Sequence, residues 1–328
     1  MMTSGILTRR DPRFILFGLG PEKTSARGLV VLAVVFFGSL AFAAALTAPA
    51  WWLVKWWDTV DSTDTTRWLL GKGVDVYFDR LRWVPILAGL PWLMSVCHLW
   101  SWHALGLERG QTGGLKFGAA WLAGILLVAG LALAQSRFTL VFLQPDPPPW
   151  AVSAAHALLA GLILGFFEET VFRGLLLRIF YTNARRPWLA LTLTSVFFAY
   201  MHFKVPSSIW GGLPHGVNWF TGWLVAYWTT FGIMVDFDWT QFTVLWALGM
   251  VLGALTLRTG SLLPAIGLHA GLVAAMSFYR DYHVFPSDPG RGFWGGGGFT
   301  DGWAAAIVLA VAFVAIVVWP RARGAPAV

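Results

Sequence analysis

Two adjacent acids, Glu168 and Glu169, close an apolar run that extends from Ala157 to Phe167. The whole chain has only four glutamates, so a pair in this setting calls for a use. A charged side chain at the centre of a bilayer helix costs on the order of 2.5–3.5 kcal/mol or more. Glu169 and Arg173 stand four residues apart, which puts acid and base on one helix face in the favourable order. Glu168 points about 100° away and has no partner on its own helix. A carboxylate so placed can serve as a general base.

The next apolar stretch ends in Ser195-Val-Phe-Phe198-Ala-Tyr-Met-His202. The break between the two stretches centres on Asn183 to Pro187. Glu168 lies 17 residues before Arg185 and His202 lies 17 after it. In an antiparallel hairpin, equal distances from the turn mean equal depth. A free carboxylate and an imidazole are thereby expected at one level on neighbouring helices, where they can share a catalytic water. Phe198, one turn before His202, would wall the site against lipid. A third polar point is His269, flanked by Gly267, Ala270 and Gly271, small residues that let helices approach closely. The remaining histidines read as structural. His98 and His103 lie at the end of a span, His215 and His283 in loops, and His156 about 18 Å along the helix from Glu168.

The elements that must hold these groups are membrane helices. The 328 residues are 57% hydrophobic and 12% charged, against about 25% charged in an ordinary soluble domain. A helix needs roughly 20 apolar residues to cross a bilayer. Spans are expected near 29–53, 83–102, 117–134, 151–182, 188–204, 240–257, 262–279 and 303–319. A short, Trp-rich ninth candidate lies at 219–235. The fold class is therefore all-α, a polytopic transmembrane helix bundle of about eight spans. Pro145-Asp-Pro-Pro-Pro149 cannot be helical. It separates a three-helix region, 1–149, from a core at 150–280, which a loop and last helix follow at 281–328. The net charge of +7 fits cytoplasmic-loop bias and anionic lipid, not nucleic acid. The basic leader with Arg9, Arg10, Arg13, Lys23 and Arg27 reads as the cytoplasmic end of an uncleaved first helix. A multi-pass protein of the cell inner membrane is expected. Cys97, the single cysteine, excludes an internal disulfide and a cysteine metal cluster.

Glu168-Glu169-x-x-x-Arg173, then Phe198-x-x-x-His202, then His269 after Gly260-Ser261-Leu-Leu-Pro264 resembles the CPBP, or Abi, family of intramembrane proteases. That family includes type II CAAX prenyl endopeptidases and bacteriocin-processing or immunity proteins. The resemblance covers roughly residues 150–280. It implies an endopeptidase that hydrolyses a peptide bond of a membrane-anchored or lipid-modified peptide. Glu168 and His202 would activate water, and Glu169 and Arg173 would be structural or orienting. His269 would bind a metal or stabilise the oxyanion. If zinc is used, Glu168, His202 and His269 would fill three positions and leave one for water. The same groups can also act without metal. The family places Asn or another polar residue four positions after the last His, and here that position is Val273. Val cannot donate a hydrogen bond, so a non-catalytic immunity or scaffold protein is an alternative. A proton-coupled transporter is another, since buried acids also relay protons, although such proteins usually show repeats and none is visible here.

Overall fold

The computed structural model describes residues 26–97, 100, 102, 105–107, 112–184, 186–202, 216–232, 237–286 and 291–318. His98, His103, His215 and the basic residues ahead of Ala26 lie outside the described residues. Regular structure is almost entirely helical, as expected. The helices are α1 (Ala26–Val60), α2 (Asp64–Leu70), α3 (Val74–Val96), α4 (Gly113–Phe138), α5 (Trp150–Glu169), α6 (Leu177–Ala184), α7 (Pro187–His202), α8 (Thr221–Phe231), α9 (Trp239–Thr259), α10 (Leu263–Tyr282), α11 (Arg291–Trp294) and α12 (Trp303–Val318). A π-helical segment, Thr170–Leu176, joins α5 to α6. One small ladder was not expected. Strand β1 (Phe142–Leu143) pairs antiparallel with β2 (His283–Val284), so His283 lies in a strand and not in a loop.

Among the described residues, four helical stretches are long and apolar enough to cross a membrane: Arg27–Val60, Gly113–Phe138, Trp150–Tyr181 and Trp239–Thr259. Trp303–Val318 is a shorter apolar helix. Among its described residues, the 219–235 candidate contains the eleven-residue α8. Eleven residues rise about 16 Å, roughly half the hydrocarbon thickness.

The chain divides into two compact units. One comprises the described residues within 26–97 and 203–238, the other those within 98–202 and 239–328. In the first unit α1 packs against α3 and α8, around Leu40, Ala43, Ala44, Phe78 and Val225. In the second, α10 packs on both α4 and α5, while α9 packs on α7 and α12. Small residues make the close approaches. A Cβ at Gly165 would lie 2.9 Å from the Ala270 amide nitrogen and 3.1 Å from the Ile266 carbonyl oxygen. One turn away, Gly161 abuts the Ala270 carbonyl, and on the other flank of α10 Gly271 abuts the Trp121 carbonyl of α4. With no driving force from water inside a bilayer, such backbone-to-backbone packing is what holds helices together. It brings the helix that carries Glu168 and Glu169 against the helix that carries His269.

The far ends of the same helices are joined by polar contacts. The Ser153 hydroxyl donates to Asp281, and the Tyr282 hydroxyl donates to the Pro148 carbonyl at 2.9 Å. The Gln144 amide donates to the Tyr282 carbonyl, also at 2.9 Å. The proline-rich segment before α5 is thus strapped to the end of α10, so α5 and α10 are tied at both ends of their contact.

Candidate active site

Glu168 and Glu169 end α5, and the π-helical segment begins at the following residue. The sequence pattern predicted an uninterrupted α-helix through Arg173. The π-helical segment carries Arg173, which has partners on its own helical stretch and on α9. Its Nη1 donates to Glu169 Oε1 at 2.6 Å, and its Nη2 donates to the Gly249 carbonyl of α9 at 3.2 Å. The wider turn of a π-helix re-aims side chains relative to an α-helix, and such turns recur at functional sites. Glu169 and Arg173 are 0% and 1% exposed. A buried charge pair is tolerable only with further hydrogen bonds, and the Gly249 carbonyl supplies one. The guanidinium also lies over the Phe198 ring, 4.6 Å from its centroid, a cation–π contact.

His202 is the last residue of α7. Its Nδ1 lies 2.7 Å from the Phe198 carbonyl. A carbonyl only accepts, so Nδ1 carries the proton and Nε2 is left to face the site. Nε2 lies 3.4 Å from Glu168 Oε2. The two residues counted at equal depth from the turn are therefore neighbours across the hairpin. His269 approaches from α10. Its Nδ1 lies 2.8 Å from Glu169 Oε1, and its Nε2 lies 3.9 Å from Glu168 Oε2. Oε2 of Glu168 is buried and makes no direct hydrogen bond. The side chains of Glu168 and His202 are about a quarter to a third exposed, whereas His269 is buried. The cluster thus opens on its Glu168–His202 side. Phe198 lies beneath it, fully buried, with its ring 4.4 Å from that of His202 and edge-on to His269 at 6.1 Å.

All five ionisable residues singled out in the sequence thus fall within one cluster, together with Phe198. Val273, half-buried, sits one turn beyond His269 on α10. The contribution missed was the Gly249 carbonyl. The available signal was the pair Gly249 and Gly253, four apart in α9. A Cβ at Gly249 would lie 2.8 Å from the Ser195 Cβ of α7, and the absence of one lets α9 come close enough for its carbonyl to meet Arg173.

A tetrahedral zinc with bonds of about 2.0–2.1 Å holds its ligand atoms about 3.3 Å apart. The Glu168–His202 separation of 3.4 Å matches that edge, but the Glu168–His269 separation of 3.9 Å exceeds it. Among the described residues no group of three or more His, Cys, Asp or Glu side chains is arranged to hold a metal ion. The donor geometry therefore does not fit a three-ligand zinc site. What it does offer is a carboxylate oxygen with two imidazole nitrogens turned toward it, able to accept protons from a water.

A family model described as Rce1-like, type II CAAX prenyl endopeptidase, matches residues 149–275. That stretch spans α5 to most of α10 and contains Glu168, Glu169, Arg173, His202 and His269. No curated protein and no solved structure matches the chain.

Proposed function

Since the chain belongs, through residues 149–275, to the CPBP family of type II CAAX prenyl endopeptidases, we propose that it is an intramembrane endopeptidase working by a glutamate-activated water. The substrate is a membrane-anchored or lipid-modified peptide. The observation that carries the reading is the placement of Glu168 Oε2 opposite His202 Nε2, at 3.4 Å, on the open side of the cluster. A water held between these acceptors gives one proton to Glu168 as its oxygen attacks the scissile carbonyl carbon. The tetrahedral intermediate then collapses, the C–N bond breaks, and the proton passes from Glu168 to the leaving amine. One water is consumed, and one carboxylic acid and one amine are formed; the acid's proton then passes to the amine, leaving a carboxylate and an ammonium. Arg173 and Glu169 hold the frame, and Phe198 floors the pocket.

The protein is a multi-pass protein of the cell inner membrane, with about eight spans. The arrangement 1–149, 150–280 and 281–328 assigns the chemistry to the middle stretch. Val273 favours a second reading, a non-catalytic immunity or scaffold protein, because it removes the polar residue that would face an oxyanion. Incubation of the purified full chain with a prenylated CAAX peptide in detergent separates the two. Release of the C-terminal tripeptide by wild type, lost in Glu168→Gln, supports the peptidase. An intact peptide in both samples supports the scaffold.

A further inference from the structure

We infer that Glu169 is a positioning residue for His269: it fixes the imidazole in its Nδ1–H form, so that the Nε2 lone pair faces Glu168. The case begins with Arg173. An arginine stays protonated in proteins, and this one is fully buried with Nη1 at 2.6 Å from Glu169 Oε1. Its counter-charge is the Glu169 carboxylate, which is therefore an acceptor only. His269 Nδ1 lies 2.8 Å from that same oxygen, and only an N–H can be bonded there. The ring is buried and packed edge-on to Phe198 at an interplanar angle of 73°. A flip would set a C–H against the carboxylate and forfeit the bond. A neutral imidazole protonated at Nδ1 has its lone pair at Nε2, and Nε2 lies 3.9 Å from Glu168 Oε2.

His202 reaches the same state by another route, through the Phe198 carbonyl. Two imidazoles, each tied by Nδ1 to a different acceptor, thus turn their Nε2 lone pairs toward one carboxylate oxygen. Ring nitrogens held by an outer acceptor in this way have both tautomer and orientation set. The consequence changes the part expected of His269. A neutral ring in this form cannot donate through Nε2 to an oxyanion. It accepts a hydrogen bond from the attacking water, whose transferred proton goes to Glu168, and leaves that water's own lone pair free for the carbonyl carbon. The link to cleavage rests on the peptidase reading; the tautomer does not.

The test uses the full chain labelled with 15N-histidine in detergent, read by long-range 1H–15N correlation, with the His269 signal assigned by its loss in His269→Gln. The wild type is expected to show His269 protonated at Nδ1 and bare at Nε2. Glu169→Gln should shift the population toward the Nε2–H form, and Glu169→Asp, which keeps an acceptor carboxylate, should restore the wild-type pattern. A wild-type signal protonated at Nε2, alone or together with Nδ1, overturns the inference, and so does a Gln variant with an unchanged pattern. If the Gln variant does not fold, the wild-type signal still decides. Cleavage of the prenylated peptide in parallel tells the two claims apart. The expected tautomer without cleavage removes the peptidase reading and keeps the positioning, whereas cleavage with the opposite tautomer does the reverse.

Discussion

Glu169 Oε1 serves two partners at once, Arg173 from its own arm of the helical hairpin and His269 from α10, while Oε2 stays buried without one. Removing this residue strands a charge. Glu169→Ala should destabilise the protein by roughly 3–5 kcal/mol, the cost of breaking a buried pair from one side. Glu168→Ala should cost much less, because its side chain is partly exposed and makes no direct hydrogen bond through Oε2. Thermal unfolding of both variants in detergent checks the order, and a larger loss for Glu168→Ala would mean the pairing is reversed. For activity the order inverts in meaning. Glu168→Gln and His202→Ala should each lower kcat by at least about 10²-fold, the usual contribution of general acid–base catalysis, while leaving a folded, inserted protein. Normal turnover by either variant would remove the proposed water activation. Val273→Asn should raise the rate. It places a donor one turn from His269, where oxyanion donors are worth about 10²–10³-fold, and peptide cleavage by the two proteins measures it.

At the scale of elements, the site depends on how closely α5 and α10 approach. Gly165 faces backbone atoms of Ala270 and Ile266, which cannot rotate aside as a side chain would. Gly165→Ala should therefore push the helices apart and destabilise by about 1–3 kcal/mol, the usual cost of overpacking. Because Glu168 and His269 ride on these two helices, cleavage should fall more than tenfold as well. Gly118→Ala is the matched control. A Cβ there meets nothing within 4 Å, and Ala is the better helix former, so stability and rate should hold or rise. Equal behaviour of the two variants in thermal unfolding and cleavage would mean that the contact does not position the site. The π-helical turn works at the same scale. It lets one guanidinium satisfy a carboxylate on its own helix and a carbonyl on α9.

At the scale of the whole molecule, the proposal of about eight spans has a topological consequence. An even number of crossings returns the chain to the side on which it started. A basic leader favours the cytoplasm for that side. Cys97 is the only cysteine, so a Cys97→Ala background allows single cysteines before Ala26 and after Val318. Both are expected to resist a membrane-impermeant maleimide added from outside and to react once the membrane is opened. Labelling of just one of them from outside would require an odd count.

Membrane character, the helical class, and the depth match of Glu168 with His202 follow from order along the chain, because hydropathy, helix rise and hairpin counting are local rules. The Glu169–Arg173 pair follows for the same reason, since four residues span one turn. Tertiary structure alone decided what these groups face. Nothing in the local pattern says that Glu169 reaches His269, one hundred residues away, or that a carbonyl of α9 completes the shell of Arg173. Those contacts depend on which helices adjoin, and that is set by glycines whose missing side chains admit a neighbour without naming it. The π-helical turn was hidden for a related reason. Nothing in the order Thr170-Val-Phe-Arg-Gly-Leu-Leu176 marks a π turn rather than an α turn, and the partner that Arg173 meets on α9 lies far along the chain.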